Sequence, residues 1–213
     1  MPQAGRLSFV CGFLFGDDCF MRNEKTKIMV EAAVMVALST VLSFIRIINL
    51  PWGGSVTLLS MLPIIVFSVK RGVKYGLAAS FLFSLIQLGQ GIAVDGIFGW
   101  GLTPLTLIAC ILLDYVGAYT VIGIGGIFRD KGSKGIVAGT VFAVFLRFAV
   151  HFVSGVAIWH SFGQLWDGFS TDNTWLYSLL YNGAYMLPEM IFTAVGAAVL
   201  FSVPQTARLI RNT

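Results

Sequence analysis

Charge is scarce in this sequence. Asp, Glu, Lys and Arg make up 11% of its 213 residues, about half or less of the roughly 25% that a water-soluble domain carries. So few charges cannot solvate a soluble fold of this size, which excludes that class. Cysteine is thin as well: Cys11 and Cys19 near the start and Cys110 inside an apolar run do not make a disulfide framework. No GxxxxGK[ST] loop is present, so the chain has no ordinary means of binding ATP, and no HExxH or CxxC cluster offers a metal site. The two halves show no inverted repeat with broken helices, which weighs against a self-sufficient secondary transporter. Lys and Arg number 14 against 10 Asp and Glu. That excess needs no nucleic-acid partner, because it falls in loops where membrane topology accounts for it.

What is present is hydrophobicity, at 57% of the residues, arranged in runs close to the ~20 residues that a bilayer-spanning helix needs. Gly, Pro and charge punctuation separates six of them, at about residues 28–49, 56–69, 75–94, 104–128, 135–159 and 175–203. The second is short for a span, and Pro188 is placed to kink the sixth. Arg22, Lys25 and Lys27 precede the first run; Lys70, Arg71 and Lys74 follow the second; Arg129, Lys131 and Lys134 follow the fourth; Arg208 and Arg211 follow the sixth. The intervening loops carry Asp95, Asp167 and Asp172, together with Trp52, Trp100 and Trp166. The expected fold is therefore an all-α membrane protein in the lipid bilayer, six transmembrane helices in one bundle with both termini cytoplasmic. Residues 1–20 are read as an extension outside that core, with Met21 the preferred start, and residues 21–213 as the six-helix domain.

Few ionisable residues remain for the membrane interior: Glu31, Arg46, Asp114, Arg147, His151 and Glu189. Such groups are costly in lipid, and each is a functional hypothesis with a partner to be named. At ~1.5 Å per residue, Asp114 lies about three turns below the outer end of the fourth span, and His151 lies two turns below Trp159 on the fifth. Tyr177 and Asn182 fall in the first two turns of the sixth, and Trp52 sits in a loop able to cover them all. Aromatic faces hold a flat or cationic ring, a carboxylate binds a ring amine through a charge-assisted hydrogen bond, and Asn and His add neutral donors and acceptors. The set suits a planar, cationic, nitrogen-rich molecule. Arg147 and Glu189, nearer mid-membrane, are expected to pair and brace the fifth span against the sixth. Arg46 is expected to snorkel outward.

Taken singly, Trp52, Trp159 and Trp175 read as interfacial belt residues, and His151 as a satisfied packing residue. Asp114 resists such a reading, because a buried carboxylate is expensive unless something uses it. The convergence of all these residues is what selects a ligand site. A competing class is an intramembrane hydrolase on Ser154, His151 and Asp114, but residues three apart on one helix rarely give nucleophile–base geometry, and no oxyanion device is evident. Ala33 and Ala37 form a small-residue stripe that serves either internal packing or the close approach of a partner helix.

The segments PWGGSVTLLSMLPI, ILLDYVGAY, RFAVHFVSGVAIW and YSLLYNGAY, in this order and spacing over about residues 21–211, resemble the thiamine-specific substrate-binding subunits (the ThiT/YuaJ family of S-components) of energy-coupling factor (ECF) transporters. The resemblance implies a six-helix protein of the bacterial cell membrane that captures thiamine from outside with high affinity. It implies no cofactor and no chemistry of its own, transport being driven by the coupling protein EcfT and two ATPase subunits. It places Trp52 in the loop that closes over the ligand, and Asp114 and Tyr115 on the aminopyrimidine ring. His151 and Trp159 fall on the thiazolium side with Gly155 leaving room between them, Tyr177 and Asn182 complete the pocket, and Ala33 and Ala37 dock EcfT. Some members carry Glu where this chain has the shorter Asp114, which leaves space for a shifted pyrimidine or a bridging water. A same-fold subunit for a thiamine precursor or another vitamin is the alternative within transport.

Overall fold

A computed structural model describes residues 17–50, 53–160 and 163–206. The chain divides into two units, Met1–Val34 and Met35–Thr213. The division falls inside the first helix, α1 (Asp17–Phe44), which begins upstream of Met21; residues 1–16 lie outside the described part.

The expected first span runs too far. Helix α1 stops at Phe44, and the following Ile45–Asn49 stretch, rich in β-branched residues, turns to strand. Isoleucine loses rotamer freedom against a helical turn and packs well on a pleated surface. Strand β1 (Arg46–Asn49) pairs antiparallel with β2 (Ser55–Thr57), placing Arg46 opposite Thr57 and Asn49 opposite Ser55.

The second expected span shrinks for the same reason, since its first residues are spent on β2 and the turn after it. Helix α2 (Leu62–Arg71) has only ten residues and carries Pro63 in its first turn, where its fixed φ suits the helix. At ~1.5 Å per residue it is about half as long as the ~30 Å hydrocarbon layer is thick. Residues Pro63 to Val69 are all buried, so α2 is enclosed by protein. Its Ser68 Oγ donates to the Gly123 carbonyl at 2.6 Å and accepts from the Gly126 N–H at 3.1 Å, tying it to residues 123–126.

Five helices, rather than six, are long and apolar enough to cross a membrane among the described residues. Besides α1, they are α3 (Val73–Ala93), α4 (Pro104–Gly126), α5 (Arg129–Trp159) and α6 (Thr174–Ser202). Helix α4 starts at a Thr103 cap, and α6 at Asn173, whose side chain accepts from the Trp175 and Leu176 N–H groups at 3.0 and 3.2 Å. Between α5 and α6 a second hairpin, β3 (Gly163–Trp166) with β4 (Phe169–Thr171), stacks Trp166 on Phe169. Neither hairpin belongs to an all-α expectation. Phe67, Phe83, Ile122, Val144 and Phe201 are fully buried, whereas Ile191, Val195 and Val199 on α6 are exposed at four-residue spacing. That apolar outer stripe is what a helix presents to lipid.

Candidate ligand-binding site

Within the second unit, the helix ends next to the first hairpin enclose a cavity of about 490 Å³, in the size range of small-molecule sites. Asp114, Tyr115, His151, Gly155, Trp159, Tyr177 and Asn182 all line it. Trp52 lies outside the described residues. Helices α4, α5 and α6 thus bring together the residues that the sequence singled out.

Local winding sets their direction. Both α4 and α5 depart from α-helical hydrogen bonding where they reach the cavity. Residues Ile111–Gly117, which carry Asp114 and Tyr115, form a π-turn, and so do Gly155–Trp159. A π-turn fits one residue more into each turn and so rotates the side chains beyond it; such bulges recur at functional sites. Three donors of α5, His151 and Ser154 on its α-helical part and Trp159 in its π-turn, meet Asp114 in the π-turn of α4. Ser154 Oγ donates to Asp114 Oδ2 at 2.7 Å, the Trp159 indole N–H donates to the same oxygen at 3.1 Å, and His151 Nδ1 lies 3.0 Å from Oδ1. Asp114 and His151 are mostly buried, their side chains 14% and 12% exposed. Asp114 therefore fixes the orientation of the indole and the imidazole besides presenting charge to the cavity.

The α6 wall is equally tied down. Asn182 Nδ2 donates to the Ser178 carbonyl at 2.9 Å and to the His151 carbonyl at 3.3 Å, and its Oδ1 accepts from the Tyr185 hydroxyl at 2.8 Å. Tyr177 and Tyr181 stack with centroids 6.3 Å apart, and Tyr185 meets the rings of Tyr181 and His151 edge-on. Tyr181 and Tyr185 line the cavity and were not among the expected ligand residues. Their signal was the four-residue spacing from Tyr177, which keeps all three on one helical face. Tyr119, one turn beyond Tyr115, was missed in the same way. Trp100 is part of the wall: its indole N–H donates to the Asp95 carbonyl at 3.0 Å and its ring lies 5.5 Å from that of Trp159.

The expectations for three charged residues change. Arg147 and Glu189 form no ion pair among the described residues. The Arg147 guanidinium lies 4.2 Å from the Tyr119 ring centre, with Nη1 on Met61 Sδ at 3.2 Å, a cation–π contact in place of a salt bridge. Glu189 instead accepts from the Thr57 N–H at 2.7 Å and the Thr57 hydroxyl at 2.5 Å, so it anchors β2. Arg46 does not snorkel. It makes a bidentate ion pair with Asp95 at 2.6 and 3.0 Å, and that hydrogen bonding holds its guanidinium above the ordinary arginine pKa against the opposing effect of burial. Because α1 ends at Phe44, Arg46 also sits in a loop that charge alternation had left without cations; its pairing with Asp95 leaves that loop locally neutral.

The hydrolase geometry is not formed. Ser154 and His151 both address Asp114, so the serine hydroxyl is directed at the carboxylate and not at the imidazole that would have to take its proton. Ala33 and Ala37 are both exposed on α1.

The model of the thiamine transporter protein family (Thia_YuaJ) matches residues 29–209. A thiamine transporter ThiT from Bacillus subtilis (strain 168) is 35% identical over 187 residues, covering 81% of this chain and 89% of the relative. A thiamine transporter ThiT from Lacticaseibacillus paracasei is 26% identical over 201 residues, covering 85% and 90%. The solved structure of ThiT from Listeria monocytogenes superposes with a TM-score of 0.68 at 22% identity, covering 86% of this chain and 98% of that one, and shows a shared fold.

Proposed function

The chain belongs to the thiamine transporter family, a family of membrane transport proteins rather than enzymes, and on that premise we propose that it is the high-affinity thiamine-binding subunit of an ECF-type importer. What carries this reading is the convergence on one cavity of Asp114, Tyr115, His151, Gly155, Trp159, Tyr177 and Asn182. The cavity pairs one buried carboxylate with a dense aromatic wall, which suits a cationic ring bearing an amine. The thiazolium lies against Trp159 and His151, where ring faces stabilise positive charge. The aminopyrimidine lies toward Asp114 and Tyr115, with Asn182 and Tyr177 closing the wall. Both termini are cytoplasmic and the cavity end faces outward, in keeping with the basic loops around Lys70 and Lys134 and the acidic ones around Asp95 and Asp167.

Titrating the purified protein with thiamine is expected to quench its tryptophan fluorescence, and Trp159→Ala to remove most of the response. A folded wild-type protein that shows no change on adding thiamine sinks the proposal.

The chain carries no ATP-binding loop, so uptake draws on EcfT and two ATPase subunits, which dock on α1 at Ala33 and Ala37. Small residues let a partner helix approach closely. Ala33→Leu and Ala37→Leu are expected to stop thiamine uptake in cells that supply those subunits, while thiamine affinity stays within about twofold. Parallel loss of binding and uptake assigns the stripe to internal packing instead.

A further inference from the structure

Arg46 and Asp95 line the cavity, yet neither belongs to the aromatic and amide set proposed to touch thiamine. Their side chains are 20% and 17% exposed and meet through two parallel hydrogen bonds. That bidentate geometry is the strong form of an arginine–carboxylate contact. Asp95 stands just beyond the C-terminus of α3, where the helix dipole disfavours a carboxylate. A cation fixed against it offsets that cost, so the pair is better held than an exposed surface bridge.

The contact has a mechanical consequence. Arg46 lies in β1 directly opposite Thr57 of β2, and Thr57 is bound through both its N–H and its hydroxyl to Glu189 on α6. One strand of the hairpin is thereby tied to the end of α3 and the other to α6. Between these ties, the Gly53 backbone packs against the Trp100 ring and Gly54 against Tyr181 and Tyr185. Asp95 serves both ends of this arrangement. Its carboxylate grips β1, and its carbonyl accepts the Trp100 indole N–H beside Trp159.

We propose that Arg46 and Asp95 are positioning residues that hold the hairpin and Trp100 in place over the cavity and thereby set how long a bound ligand stays. They act through Trp100 and Gly53–Gly54, not by contact with the ligand. This rests on the thiamine-binding reading. Losing the pair frees β1 while Thr57 still holds β2, so escape from the cavity quickens although the ligand's own contacts are intact.

The test is stopped-flow tryptophan fluorescence with thiamine on the full chain in detergent, comparing wild type, Arg46→Gln, Asp95→Asn, the double variant and Arg46→Lys. Each neutralising variant is expected to raise the dissociation rate roughly tenfold, with the association rate within about twofold of wild type. The double variant matches either single one, because both remove the same contact. Arg46→Lys, which keeps the charge but loses the fork, falls in between. Melting temperature without ligand serves as the control for a merely structural role and stays close to wild type. Unchanged dissociation in variants of a thiamine-binding wild type overturns the proposal, as do additive effects in the double variant or a loss carried by association. A wild type with no thiamine response overturns the thiamine reading, and this proposal with it.

Discussion

Asp114→Ala is expected to weaken thiamine binding by roughly a thousandfold, about 4 kcal/mol, while Asp114→Asn loses about ten- to a hundredfold. The carboxylate takes three hydrogen bonds from α5, through His151, Ser154 and Trp159. Alanine removes all three acceptor positions at once. The freed donors lie in a mostly buried site, where each unsatisfied group costs about 1–3 kcal/mol. They recover partners only by turning away, which carries the indole and the imidazole out of the geometry in which a ring can stack on them. The anion that faces a cationic ligand in a low-dielectric cavity is lost as well.

Asparagine separates these two contributions. Its carbonyl still accepts from Ser154 and Trp159, and its amide donates to His151 Nδ1 once the imidazole adopts the other tautomer. Geometry survives and charge does not, so the remaining deficit in Asp114→Asn measures the electrostatic share. Fluorescence titration of both variants checks this. Equal losses in the two assign the whole effect to charge, and an alanine variant within tenfold of wild type removes Asp114 from the site. Ser154→Ala deletes one of the three donors and leaves binding within about tenfold; it also distinguishes a transport protein from a hydrolase, in which that substitution ends all function.

How much of this was legible in the sequence depends on the kind of signal. Asp114 and His151 stood out because a charge or an imidazole in an apolar run is costly in lipid, and Trp159 joined them through the four- and eight-residue period of one helical face. Those rules are local, and they place each residue on the correct helix. The two π-turns are not local in that sense. Nothing in ILLDYVG or GVAIW marks a change of winding, since apolar content and periodicity read the same for an α-turn and a π-turn. The first hairpin was hidden by hydropathy: Arg46–Asn49 reads as a continuation of α1 on apolar content alone, and only its β-branched run argues for strand. Charge partners were the least legible. Arg147 and Glu189 were expected to pair with each other and Arg46 to reach outward, yet their partners Tyr119, Thr57 and Asp95 come from other elements and meet them only once the bundle is assembled.

Gly155→Val is expected to abolish measurable thiamine binding, and Gly155→Ala to reduce affinity by at least a hundredfold. A side chain at Gly155 meets the Ser178 hydroxyl at less than any real contact distance, with Ser178 Cβ at 3.0 Å and Asn182 Nδ2 at 3.2 Å behind it. None of these neighbours is free to yield. The Ser178 hydroxyl donates to the Phe152 carbonyl at 2.9 Å and accepts from Asn182 Nδ2 at 3.1 Å, and Asn182 in turn holds Tyr185. The added carbon therefore separates α5 from α6 along the seam that carries His151 and Trp159 on one side and Tyr177 and Asn182 on the other. Overpacking of this kind costs about 1–3 kcal/mol of stability, which a folded membrane bundle withstands. Binding suffers more than folding does, because a shift of about 1 Å in one wall disrupts every contact that spans the cavity at once. Thermal unfolding in detergent beside the fluorescence titration separates the two effects: a melting temperature only slightly lowered, together with lost binding, supports a close approach kept for the ligand. Retained affinity in Gly155→Ala would mean that α5 and α6 can part without changing the site, and Gly155 would then be a packing residue alone.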